Sequence, residues 1–177
     1  MTVMSILTSA AERVGFEVET EPSNAINLLE SQHREVEALF KQLEETSDRA
    51  YKAREHLFEE IAQKLTHHAK IEEKLFYPEG RAADKDLTLE AYEEHEVMKH
   101  LISRIRRTET RDETFMAKCT VLKEVVEHHV KEEESDYFPK CKKTMSADEL
   151  DELGLQMKTL YDRLQSQSST RSSRKDH

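Results

Sequence analysis

Two short stretches hold the residues most able to do chemistry. One reads His67-His68-Ala69-Lys70-Ile71-Glu72-Glu73, the other His128-His129-Val130-Lys131-Glu132-Glu133-Glu134. In each, a histidine is followed four residues later by a glutamate, and a four-residue step on a helix returns to the same face. His68 with Glu72, and His129 with Glu133, would each present an imidazole beside a carboxylate. Both stretches run on into an aromatic pair and a proline, Phe76-Tyr77-Pro78 and Tyr137-Phe138-Pro139. The offset from 68 to 129, from 72 to 133 and from 78 to 139 is 61 each time, so the chain contains an internal repeat.

These residues need elements to hold them. Neither glycine nor proline occurs between residues 23 and 77, or between 81 and 138. Such stretches, rich in Glu, Lys, Leu and Ala, read as helix, and each is long enough for a helical hairpin. Four apolar stripes follow the three-or-four spacing of one helix face. They are Ile26, Leu29, His33, Val36, Phe40, Leu43; then Phe58, Ile61, Leu65, His68, Glu72, Leu75; then Tyr92, His95, Met98, Ile102, Ile105; then Cys119, Leu122, Val126, His129, Glu133, Tyr137. In every stripe a histidine stands where an apolar residue is expected.

The turns place these histidines at one height. The midpoint between His33 and His68 falls beside Ser47-Asp48-Arg49, that between His68 and His95 inside Glu79-Gly80-Arg81-Ala82, and that between His95 and His129 at Asp112. Residues equidistant from a turn lie level in an up-down bundle, and arms of about 17.5 residues put the first pair about 26 Å from its turn. His33, His68, His95 and His129 therefore meet in an all-α, up-down-up-down four-helix bundle. Thr110 and Glu113 form a capping-box pattern before the fourth helix, and Ser146 and Glu149 another before a fifth. The fifth carries Leu150, Leu153, Met157, Leu160 and Leu164 on one face, with Gly154 weakening it. The expected organisation is a lead-in over 1–22, the bundle over 23–139, a C-terminal helix over 140–165, and a polar, disordered tail over 166–177. Within the lead-in, Ile6, Leu7, Ala10 and Val14 suggest one short amphipathic helix.

Composition narrows the function classes. The chain has 177 residues, 36% of them charged, and a net charge of −10, which opposes phosphate binding and so nucleic acid as a partner. There is no apolar run of membrane-spanning length and no basic, apolar start typical of a secretory signal. No membrane partner and a cytoplasmic location are expected. Cys119 and Cys141 form no spacing motif and read as reduced thiols.

A lone core histidine is ordinarily just hydrogen-bonded. Four histidines and two glutamates, His33, His68, Glu72, His95, His129 and Glu133, on inward stripes at one height, suit two first-row ions bridged by carboxylates, with iron preferred over zinc. The alternative is a buried polar network without metal. His67 and His128 point about a hundred degrees away and read as surface groups or as neighbours of the ligands. His56 and His100 read as peripheral, and Glu73 and Glu134 as solvated. Tyr92 reads as core, with a hydrogen bond to the site or direct ligation as further options.

The pattern of His33, His68-x-x-x-Glu72, His95 and His129-x-x-x-Glu133 resembles the hemerythrin-like HHE cation-binding domain over roughly residues 23–139. The resemblance implies a four-helix bundle holding two non-haem iron ions, oxo- or hydroxo-bridged, with Glu72 and Glu133 bridging and the four histidines as terminal ligands. The sequence departs from the oxygen carriers at one position. Those have His-x-x-x-His on the third helix, whereas His95 is followed four residues on by Lys99, with His100 one residue out of phase. The site then resembles the symmetric bacterial branch, which includes proteins linked to iron-sulfur repair, nitric oxide and peroxide chemistry. The repair proteins carry an additional cysteine-bearing N-terminal domain, and residues 1–22 contain no cysteine. The expected function is binding of, or reaction with, oxygen, hydrogen peroxide or nitric oxide, with an unidentified redox partner. A peroxide-removing, catalase-like enzyme and an iron or oxygen sensor or iron-handling protein are the rivals.

Overall fold

The computed structural model describes residues 24–173, with side chains described as far as residue 168. The lead-in over 1–22 and its amphipathic helix lie outside the described residues. Among the described residues there are five helical rods and no strand. α1 spans Ala25–Glu44 and α2 spans Tyr51–Ile71; α2 continues through a π turn (Glu72–Phe76) into a last turn (Tyr77–Gly80). α3 spans Lys85–Arg106. α4 spans Thr114–Glu132 and continues through a second π turn (Glu133–Tyr137) into Phe138–Thr144. α5 spans Ala147–Ser173.

Local chemistry explains the boundaries. The Asn24 side chain accepts the Asn27 N–H and opens α1; Asp84 accepts from Asp86 and Leu87 and opens α3. Ser146 and Glu149 exchange the two bonds of a capping box at the start of α5, as their spacing predicts. The expected box before α4 does not form. Asp112 instead accepts from the Thr114 N–H at 2.8 Å, because the short side chain two residues ahead reaches the free amide more directly than Thr110 does. The α1–α2 turn is tied down by Arg54, whose guanidinium donates to Thr46 and Asp48.

The π turns sit at equivalent points of the repeat. Pro78 has no N–H to give to Lys74, and its ring would press on that carbonyl; Pro139 stands in the same relation to Ser135. The helix widens instead, and the Tyr77 and Phe138 N–H groups bond five residues back, to the carbonyls of Glu72 and Glu133. The extra residue shifts the phase of the buried face. Beyond Glu72 it is Phe76 and Tyr77 that are fully buried, while Leu75 is only partly so.

The core has two apolar parts. One, built on Phe40, Phe58, Ile61, Ile102, Phe115 and Leu122, fills the end of the bundle near the α1–α2 turn. The other joins Ile26, Leu29, Phe76, Tyr77, Tyr137 and Phe138 to Leu150, Leu153 and Met157 of α5, which lies along α1 and α2. The polar stripe residues lie between them. Cys119 and Cys141 are buried free thiols, and burial pushes both up to about 12.

Two expectations about α5 change. The helix does not end at Gln165 but runs to Ser173; Ser168 bonds back to the Leu164 carbonyl and outward to His67. Tyr161 and Ser168 both contact His67 of α2 along this stretch. Gly154 is a crossing point, since a Cβ there would lie 2.6 Å from the Ala25 nitrogen and 2.7 Å from the Asn24 carbonyl carbon. We expect Gly154→Ala to lower the melting temperature. Alanine favours helix by about 1 kcal/mol, but the clash is with backbone, and overpacking of that kind costs about 1–3 kcal/mol. Calorimetry on the full chain checks the sign.

Candidate metal centre

The four stripe histidines converge, as their levels predict. The Nε2 atoms of His33 and His68 are 3.2 Å apart, and those of His95 and His129 are also 3.2 Å apart. All four rings are buried. Glu72 and Glu133, 0% and 2% exposed, lie between the two pairs. Glu72 Oε2 is 3.2 Å from His68 Nε2 and 3.3 Å from His95 Nε2. Glu133 Oε2 is 3.4 Å from His33 Nε2 and 3.5 Å from His129 Nε2. Each carboxylate thus reaches one member of each histidine pair.

The outward nitrogens decide the tautomers. His33 Nδ1 lies 2.8 Å from Glu134, His68 Nδ1 2.8 Å from the Gln32 carbonyl oxygen, His95 Nδ1 3.0 Å from Glu73, and His129 Nδ1 2.7 Å from Glu94. A carboxylate or amide oxygen only accepts, so each Nδ1 carries a proton and donates it. In the neutral ring every Nε2 then points a lone pair inward. Two lone pairs facing each other at 3.2 Å repel unless something positive lies between them.

The acidic side of the site makes the same demand. Both oxygens of Glu72 and the Oε2 of Glu133 are buried with no hydrogen-bond partner, a costly state for a carboxylate. His33, His68, Glu72 and Glu133 offer ligand atoms within 4.8 Å of one another, and so do Glu72, His95 and His129. Imidazole nitrogens, bridging-capable carboxylates and acceptors that orient each ring are the ligand set of a divalent transition metal. The residues present fit two such ions.

With only protons available, the charges divide unevenly. Burial lowers the affinity of His95 for a proton, but Glu72 and Glu73 outweigh it and raise its pKa to about 9. His33 is likewise raised against its burial, by Glu133, Glu72 and Glu134. Burial holds His68 below the ordinary histidine value despite Glu72. Glu72 would be raised by its burial, yet His68 and His95 hold it well below the usual carboxylate range.

Several residues were misjudged or missed by sequence reasoning. Glu73 and Glu134 are not merely solvated. Each accepts a hydrogen bond from a ring Nδ1–H and is itself held by a cation, Glu73 by Lys99 at 2.7 Å and Glu134 by Arg34. Gln32 and Glu94 gave no signal, because each stands one position before a stripe histidine. Tyr92 donates to the Glu73 backbone carbonyl rather than touching the centre. Tyr77 reaches it instead, its hydroxyl donating to Glu133 Oε1 at 3.0 Å and lying 3.2 Å from His95 Nε2. Its equivalent in the repeat is Phe138, which stacks on His33 at 6.0 Å. The reversed order of Phe76-Tyr77 and Tyr137-Phe138 was the available clue. His67 is covered by α5, bonded to Ser168 and packed on Tyr161, while His128 is exposed.

Beyond the imidazoles, on the side away from Phe76 and Phe138, lies a cavity of about 20 Å³. Its walls include Val36, Leu65, Met98, Ile102, Val126 and Val130. It is apolar and of the size of one very small molecule.

Comparison with known proteins places this arrangement. The chain is 30% identical over 142 residues to "Uncharacterized protein Rv2633c" of Mycobacterium tuberculosis, covering 80% of this chain and 87% of that protein. It is 28% identical over 144 residues to a protein of Nostoc sp. named "DNA nickase", covering 80% of this chain but only 40% of that protein's length. The solved structure of a hemerythrin HHE cation binding domain-containing protein, the Rv2633c homolog from Mycobacterium kansasii, superposes with a TM-score of 0.74 at 28% identity, over 84% of this chain and 91% of that one. The sequence model of the hemerythrin HHE cation binding domain matches residues 24–141. The chain belongs to the hemerythrin HHE cation-binding family.

Proposed function

We propose that this chain is a di-iron protein that reacts with oxygen, hydrogen peroxide or nitric oxide. The observation that carries the reading is the pair of buried carboxylates, each reaching one histidine of both Nε2 pairs. Iron held there would supply one-electron chemistry and open coordination positions beside the apolar cavity. His33, His68, Glu72 and Glu133 would hold one ion; His95, His129 and the same two carboxylates would hold the other, with the Tyr77 oxygen within reach. Glu134, Gln32, Glu73 and Glu94 orient the rings by taking their Nδ1 protons. Val36, Ile102 and Val126 exclude bulk water, which favours small, weakly hydrated ligands. Lys99 is an ammonium with no lone pair, held by Glu73 and Glu96. A fifth histidine is thus absent, and the reading favours irreversible reaction over reversible oxygen carriage. The net charge of −10 supports a small-molecule partner rather than nucleic acid. No helix among the described residues is long and apolar enough to cross a membrane.

Elemental analysis of natively purified protein should find about two irons per chain, with a visible spectrum that changes on adding peroxide. One ion per chain, or mostly zinc, would overturn the di-iron reading. Sustained peroxide turnover would identify an enzyme, and a single round of oxidation a stoichiometric reactant.

The protonation pattern gives a pH test. His95 is raised to about 9, so in metal-free protein at neutral pH it holds a proton that an ion must displace. Calorimetric titration in buffers of different ionisation enthalpy should show net proton release at neutral pH that fades as the pH rises through about 9. Without metal, the stability contributed by His95 beside Glu72 is fully present below the ordinary histidine pKa of about 6.5 and lost as the pH rises through about 9. The melting temperature of metal-free protein should therefore fall over that window, while that of loaded protein should not.

The cavity gives a third. Val126→Ile adds one methylene to its wall. We expect metal content to be unchanged and the reaction with peroxide to slow several-fold, read by stopped-flow absorbance.

A further inference from the structure

Glu94 has two jobs. Its Oε2 accepts a hydrogen bond from His129 Nδ1–H at 2.7 Å, and its Oε1 faces His128 Nε2 at 3.4 Å. His128 Nε2 is in turn 3.7 Å from Glu132 Oε1, one helical turn along α4. Glu94, His128 and Glu132 offer ligand atoms within 4.8 Å of one another. The side chains grade outward, from 15% exposed at Glu94 to 32% at Glu132 and 61% at His128. We propose that this set is a staging site where a divalent cation, iron(II), binds at the surface before passing to the buried centre.

The argument comes from the repeat. The equivalents of Glu94, His128 and Glu132 in the other half are Gln32, His67 and Ile71. Gln32 does for His68 what Glu94 does for His129, accepting the Nδ1 proton at 2.8 Å. An amide oxygen therefore suffices at that position, and Glu94 brings there a negative charge that its counterpart lacks. The remaining two positions change in the same direction. His67 is closed over by Ser168 and Tyr161 of α5, and Ile71 is fully buried and apolar. One half of the pseudo-symmetric bundle is thus neutral and covered, and the other is anionic, histidine-bearing and open. Two carboxylates with one imidazole between them suit a hydrated divalent ion bound weakly and released inward. Glu94 is shared by the outer set and the ring of His129, so an ion at the surface is a single side chain away from the centre.

Binding at the surface set stands on these residues alone; the staging role rests on the buried centre being a metal site. The test uses the full chain and two readouts. Mn2+ titrated into iron-loaded protein should broaden the His128 ring proton resonance selectively, and Glu132→Gln should raise the Mn2+ concentration needed about tenfold. Iron(II) mixed anaerobically with metal-free protein should fill the buried centre at least fivefold more slowly in a His128→Ala, Glu132→Gln double variant, with the same final stoichiometry. Neither residue touches the buried ligands, so folding and final content serve as internal controls. No broadening at His128 in wild-type protein would overturn the site. Broadening with unchanged filling rates would overturn the staging role. Broadening in a chain that elemental analysis shows to hold no buried ion would remove both the staging role and the di-iron reading, while leaving the surface site in place.

Discussion

Glu72 and Glu133 are carboxylates with almost no solvent exposure, in the middle of a helical bundle, and three of their four oxygens lack a hydrogen-bond partner. An unpaired charge of that kind costs several kcal/mol, so the surrounding structure exists either to neutralise it or to tolerate it. Much of the molecule answers to this constraint. Four imidazoles are aimed at the carboxylates, and four acceptors hold those imidazoles in the tautomer that faces a lone pair inward. The π turns begin at the two glutamates themselves, and the added residue in each widened turn brings Phe76, Tyr77, Tyr137 and Phe138 into the floor beneath the site. The apolar clusters above and below seal it.

The repeat makes the centre nearly two-fold symmetric, and its departures from symmetry each have a chemical sense. Tyr77 puts a hydroxyl where Phe138 puts a bare ring, so only the His95 side gains a further oxygen. Arg34 holds Glu134 from one residue beyond His33, whereas Lys99 holds Glu73 from four residues beyond His95. In the second arrangement Lys99 also lines the cavity, while its ammonium is held by Glu73 and Glu96. The fifth helix covers the α2 face and leaves α4 open. A bundle that began as two like hairpins thus has a distinguishable inside, outside, left and right.

Much of this was legible in the sequence. The inward histidines and glutamates lie on stripes of helical period, and the turns between them are punctuated by Gly80 and by polar loops, so both the bundle and the convergence of His33, His68, Glu72, His95, His129 and Glu133 could be read. What could not be read depends on departures from ideal period. A π turn inserts one residue, so a stripe extended through Glu72 selects Leu75 when the structure buries Phe76 and Tyr77. Glu73 and Glu134 sit one residue past Glu72 and Glu133, where the 100° step of a helix points to solvent, yet their length lets them reach sideways to the ring of a neighbouring helix. Asp112 outcompeted Thr110 at the α4 cap through local hydrogen bonding that composition does not reveal. The length of α5 was hidden for another reason. Its serine-rich end has weak intrinsic helicity, and the contact of Ser168 with His67 of α2 joins residues 101 positions apart, which a local reading does not reveal.

The protonation pattern describes how the charges of the site balance without metal. Four neutral rings would oppose lone pairs at 3.2 Å in two places, and four protonated rings would place four positive charges around two negative ones without solvent. Neither extreme is tolerable in a low dielectric. The compromise places protons unevenly. His33 is raised and His68 lowered within one pair, so a single proton can lie between their Nε2 atoms, and His95 is raised in the other. Those protons occupy the positions a pair of cations would take, at half the charge or less. Were an ion to enter a pair, one departing proton would leave two lone pairs facing it, and Glu72 would have no hydrogen bond to give up while Glu133 would keep the one from Tyr77.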